Sequence, residues 1–106
     1  MSPQEDPVLR RLRAALEAEY GSRLKRVVLF GSRARGDAHA DSDYDVAVFL
    51  DRPGPLWEEL GRLAPIVTDI AADTGEMVSA KPFPAEAWEN GTSLLMREIR
   101  REGLPL

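Results

Sequence analysis

The chain has 106 residues, 14 of them Lys or Arg against 18 Asp or Glu, for a net charge of −4 and no cysteine. That length suits one domain, residues 1–106, with a modest core. The missing cysteine excludes disulfides and thiolate metal sites, and the acidic total weighs against a free-standing nucleic-acid binder. No run approaches the roughly 20 apolar residues of a membrane span and no signal peptide opens the chain, so a cytoplasmic protein is expected.

The first element in chain order is a helix. Asp6 is placed to cap it, Pro7 suits its first position and Gly21 suits the residue past its end. Val8, Leu9, Leu12, Ala15, Leu16 and Tyr20 share one face. Lys25 to Phe30 is a short β-branched and aromatic run, which predicts a buried strand ending at Gly31. Gly31 to Ser42 is polar and predicts a turn, one short helix begun by Ser32, and a loop. Tyr44 to Leu50 is the second strand. A helix follows from about Pro55 to Thr74, closed by Gly75, and Pro65 within it should kink or split it. Glu76 to Phe83 predicts a third strand, stopped by Pro82 and Pro84. Two short helices between Pro84 and Glu102 end the chain, with Gly103 past them. This order implies an α/β fold: a small mixed sheet of three or more strands with helices packed on it.

One constellation in this order carries chemistry. Gly31-Ser32 follows the first strand, and ten residues later Asp43-Tyr44-Asp45 opens the second. Strand side chains alternate, so Asp43 and Asp45 project to one side and Tyr44 to the other. Two such carboxylates repel each other without a compensating charge, and Mg²⁺ takes oxygen ligands while leaving room for phosphates. Gly31 lets backbone approach a phosphate closely, Ser32 offers a hydroxyl, Arg33 and Arg35 bring positive charge, and Gly36 lets the chain turn again. Either segment alone is also ordinary turn chemistry. Together, each at a strand end, they point to a site for nucleotide and metal.

Leu29-Phe30-Gly31-Ser32-Arg33-Ala34-Arg35-Gly36, followed by Asp41-Ser42-Asp43-Tyr44-Asp45-Val46, resembles the signature of the DNA polymerase beta-type nucleotidyltransferase superfamily. It is most similar to the minimal nucleotidyltransferases, small proteins often paired with a HEPN-domain partner in toxin–antitoxin systems. The resemblance implies the polymerase beta-type nucleotidyltransferase fold, with Asp43 and Asp45 as catalytic metal ligands and Gly31, Ser32, Arg33, Arg35 and Gly36 at the nucleotide. It also implies transfer of a nucleoside monophosphate, AMP from ATP with Mg²⁺, to a hydroxyl of a partner protein, the HEPN toxin. The superfamily usually adds a third carboxylate from the next strand. In Glu76-Met77-Val78-Ser79-Ala80-Lys81-Pro82 that position holds Ser79, and Glu76 is the nearest acid. The alternative is therefore a catalytically degenerate antitoxin or nucleotide-binding module that acts by contact. An aminoglycoside-modifying transferase, a template-copying polymerase or a tRNA-tailing enzyme would need more chain than this.

Other residues read more simply. His39, in the polar loop, is expected in solvent. Trp57 and Trp88 are expected in the core, with a partner interface as the minor reading. Tyr44 should lie buried beneath the site. Lys81 reads as a surface lysine within reach of phosphate, Asp69 and Asp73 as solvated, and Arg97 to Glu102 as a solvated helix face. Self-association through an exposed sheet edge is also compatible with so few strands.

Overall fold

The computed structural model describes residues 2–39 and 42–106; Asp41, part of the acidic motif, lies outside them. Helix α1 spans Pro7–Tyr20, and the Asp6 carboxylate accepts from the amides of Val8 at 2.8 Å and Leu9 at 3.4 Å, as a cap should. A 3-10 turn, Gly21–Arg23, leads into β1, Leu24–Phe30. Then come the single-turn helix α2 (Ser32–Arg35), β2 (Tyr44–Leu50), α3 (Leu56–Thr74), β3 (Val78–Pro84), α4 (Ala87–Asn90), α5 (Leu94–Glu102) and β4 (Leu104–Pro105).

The sheet order is β3-β2-β1-β4. β1 runs antiparallel to β2 and to β4, whereas β2 and β3 are parallel, joined by the long helix that such a crossover needs. β2 is central and covered on both faces, which is why Val46-Ala47-Val48-Phe49-Leu50 reads as an unbroken apolar run instead of an alternating one. On one face Val27, Leu29, Tyr44, Val46, Val48 and Leu50 pack with Leu9, Leu12 and Leu16 of α1 and Leu63 and Ile70 of α3. On the other, Val28, Phe30, Ala47 and Phe49 meet Met96 and Ile99 of α5, with Phe83 and Trp88 at the margin. Phe49 stacks on Phe83 at 5.5 Å between centroids and meets Trp88 edge-on at 5.7 Å.

Several expectations change. The third strand starts at Val78, two residues after Glu76, and runs through both prolines to Pro84. β3 is an edge strand, so a missing N–H can face away from the ladder. α3 carries Pro65 without splitting. Pro65 and Gly61, one turn earlier, both lie on the exposed side, where water can satisfy the carbonyl that proline frees. The two-residue strand β4 is too short to announce itself in sequence. Trp57 is not core: it is 76% exposed. The stripe that α3 buries runs through Glu59, Leu63 and Ile70, and Trp57, two residues before Glu59, falls about 200° around the helix from it. Trp88 does pack against the core, and the Arg26 guanidinium lies 4.3 Å over its ring.

Candidate active site

The antiparallel register places Phe30, the last residue of β1, opposite Asp45. The chain leaves the sheet at the next residue, Gly31, with φ 75° and ψ −157°. A side chain rarely adopts that backbone, and a Cβ there would run into the Asp45 carboxylate. Helix α2 then turns once: the amides of Ala34 and Arg35 donate to the Gly31 carbonyl, both at 3.1 Å, and Gly36, at φ 83°, closes it. The structure thus brings the Gly31-Ser32 turn against the acidic pair.

Asp43 is exposed and Asp45 half-buried, on the sheet face shared with Ala47 and Phe49, while Tyr44 between them is buried on the other. Burial raises the Asp45 carboxyl above the ordinary aspartate value, and the Asp43 charge adds to this; Lys81 and Arg35 work against it. Tyr44 is fixed beneath the site, its hydroxyl donating to Asp6 at 2.9 Å. Burial and that hydrogen bond push its phenol up to about 12.

The two arginines of the turn part company. The Arg33 guanidinium donates to the Ser42 carbonyl at 2.7 and 3.0 Å and lies 3.9 Å over the Tyr44 ring. It also pairs with Glu76 at 3.4 Å, so Arg33 and Glu76 stand on the Tyr44 side, away from Asp45. Arg35 turns the other way and meets the Glu102 carboxylate of α5 at 3.2 Å. Glu102 also accepts from the Gly31 amide at 3.2 Å, and its side chain is only 13% exposed. The sequence reading leaves Glu102 on a solvated helix face; nothing in the local pattern of α5 announces a contact with a residue 71 positions earlier.

Ser79 is the register partner of Asp45 across β2 and β3, and Lys81 is the partner of Ala47. The Lys81 ammonium reaches back to donate to the Ser79 hydroxyl at 3.3 Å, which draws it away from the open surface expected of it. His39 is exposed, as expected, and Asp73 is engaged at the surface with Arg11 at 2.7 Å. A cavity of about 190 Å³ lies behind the turn, lined in part by Asp6, Arg33 and Tyr44, and neither Asp43 nor Asp45 lines it.

Among the described residues no group of three or more His, Cys, Asp or Glu is placed to hold a metal ion. Asp43 and Asp45 do not make an all-protein cage. Two carboxylates on one side of a strand, one of them disfavoured as an anion where it stands, suit a hard divalent cation that keeps its waters and shares a nucleotide's phosphates.

The sequence model of the nucleotidyltransferase domain matches residues 9–90, which include the turn, the acidic pair and β3. A Methanocaldococcus jannaschii protein, assigned by its name as a protein adenylyltransferase, is 38% identical over 47 residues. That stretch spans 44% of this chain and about half, 47%, of the relative. A minimal nucleotidyltransferase structure superposes with a TM-score of 0.63 at 26% identity, covering all of this chain and 97% of that one. A crystal structure of a toxin–antitoxin complex with AMP-PNP gives 0.64 at 19% identity, covering 91% of this chain and 69% of that one. The toxin–antitoxin pair MntA-HpeT, solved as a double Asp→Glu variant, gives 0.66 at 16% with the same coverage. At those two identities the likeness is one of fold. No helix among the described residues is long and apolar enough to cross a membrane. With its sheet order, its turn and a family match over most of its length, the chain belongs to the nucleotidyltransferase domain family.

Proposed function

We propose that residues 1–106 act as one adenylyltransferase domain that moves AMP from ATP to a hydroxyl on a partner protein, and that the partner is the HEPN-family toxin of a toxin–antitoxin pair. The observation that carries this reading is the close packing of Gly31 against Asp45. It sets phosphate-approaching backbone and a carboxylate pair on one wall. The adenylyltransferase name of the Methanocaldococcus jannaschii relative supports the reaction, and AMP-PNP in one structural neighbour supports the nucleotide. The toxin–antitoxin neighbours support the kind of partner.

In this reading Gly31, Ser32, Arg35 and Gly36 receive the phosphates, with Arg35 offering Nη2 to phosphate oxygens while Nη1 stays on Glu102. Arg33 braces the same turn from below through Ser42 and Tyr44. Asp43 and Asp45 would hold Mg²⁺, which when bound neutralises phosphate charge and orients the reacting oxygens. The acceptor oxygen forms a bond to the α-phosphorus, the bond to the β-phosphate oxygen breaks, and pyrophosphate leaves. The acceptor's proton passes to solvent water.

Incubation with α-labelled ATP, Mg²⁺ and the protein encoded next to this one tests the proposal. Label should pass to that partner, and Asp43→Ala with Asp45→Ala should abolish it; label that never appears, or that persists in the double variant, rejects the reading. Ser79 in place of an acid favours the second reading, a module that binds nucleotide and silences its toxin by contact. In that case the double variant still neutralises the toxin.

A further inference from the structure

Lys81 is the feature of this face that the proposed reaction leaves unused. The parallel register sets Asp45 beside Ser79 and Ala47 beside Lys81, on one face of the sheet. Ala47 is fully buried, and the Lys81 ammonium returns toward the start of the strand, 3.3 Å from the Ser79 hydroxyl. An ammonium has three donors, and among the described residues its recorded hydrogen bond is to one neutral hydroxyl, which leaves it able to take an anionic oxygen.

Charge balance gives this position a consequence. Two divalent ions a few ångströms apart need acids to bridge and separate them. Among the described residues Asp43 and Asp45 are the acids on this wall; Glu76 is held on the opposite side by Arg33, and Glu102 is held by the Gly31 amide and Arg35. A second divalent ion would sit beside the Lys81 ammonium with no further carboxylate among the described residues to offset the repulsion.

We propose that Lys81 is the second cation of this site. Asp43 and Asp45 take a single divalent ion together with the nucleotide, and the Lys81 ammonium contacts the phosphate oxygens from the Ser79 side. This rests on the nucleotide-site reading given above, but not on turnover. Mn²⁺ bound in the presence of AMP-PNP, counted by electron paramagnetic resonance, tests it. The wild-type chain should bind one Mn²⁺. Lys81→Met, nearly isosteric with the lysine stem, should still bind one but weaken AMP-PNP about tenfold, the loss of one charge-assisted contact, and Lys81→Arg should restore it. Ser79→Asp combined with Lys81→Met should bind two. Two Mn²⁺ on the wild-type chain, or unchanged AMP-PNP affinity in a folded Lys81→Met, would overturn the assignment of Lys81 while leaving the nucleotide site standing. A wild-type chain that binds neither Mn²⁺ nor AMP-PNP would overturn the site itself and this inference with it.

Discussion

Gly31 joins strand, turn and carboxylate through one missing methyl group. Its φ of 75° and ψ of −157° lie where glycine alone is comfortable, and the space its Cβ would fill belongs to Asp45. Gly31→Ala should therefore destabilise the fold by about 2 kcal/mol through backbone strain and displace the Asp45 carboxylate. Gly75, which ends α3 at φ 77° with open space around it, supplies the comparison. Gly75→Ala carries backbone strain but lies away from the carboxylates. Urea unfolding should show both variants weakened, and titration with ATP and Mg²⁺ should show binding lost only for Gly31→Ala. Equal loss of binding in both would mean that affinity follows global stability and not the geometry at Asp45. The motif was legible here because the glycine directly follows one strand and the acids open the next, a short loop later. The tasks of Arg33 and Arg35 were not: two residues apart on a single helical turn they must face opposite ways, but only the neighbours each meets decide which of them faces the acids.

At the scale of elements, α3 shows how a helix can be placed by a polar contact. Glu59 is 2% exposed on the stripe that faces the sheet, and it meets the Arg23 guanidinium and the Gly54 amide, each at 2.7 Å. Burial alone would raise its carboxyl, but the Gly54 amide, Arg23 and Arg62 outweigh that and hold it below the ordinary glutamate value. A lowered carboxyl contributes stability above its unfolded pKa and loses it as pH falls through the folded one. The chain should therefore lose stability as pH drops below about 4.5, the ordinary value for this group. Glu59→Gln should cost roughly 2 kcal/mol at pH 7, less than a fully buried pair would because Arg23 is partly exposed. The difference from wild type should shrink toward pH 3. Urea midpoints measured from pH 3 to pH 8 check this, and a difference that stays constant across the range would remove the charge from the explanation. The position of α3 was readable from its caps and period. Its inward face was misjudged at Trp57, because an aromatic side chain suggests burial while the helical period puts that position in solvent.

For the whole molecule, two helical layers clamp a four-stranded sheet, and the acidic pair opens on the face covered by α4 and α5. A half-buried carboxylate beside another is tolerated by such a fold only at a cost that a bound cation removes. Mg²⁺ with ATP should accordingly raise the unfolding temperature well beyond what either does alone. By mass action the gain is about 2.7 kcal/mol at a hundredfold excess over the dissociation constant. Asp43→Ala with Asp45→Ala should erase that gain. Thermal scans with and without each component give the measurement, and equal shifts with ATP alone would argue that the carboxylates hold no metal.

The sequence by itself determined the strands around Gly31, the capped first helix and the same-side placement of Asp43 and Asp45. Each follows from local rules: turn residues at strand ends, a two-residue alternation and caps adjacent to what they cap. The tertiary structure alone decided that Glu102 closes on the Gly31 amide from the far end of the chain. It also decided that Ser79 and Lys81 stand beside Asp45 and Ala47, and that Arg33 looks away from the site. Those relations depend on the register of a parallel crossover and on the packing of α5 across the sheet, and no local pattern encodes the distance between residues that only folding brings together.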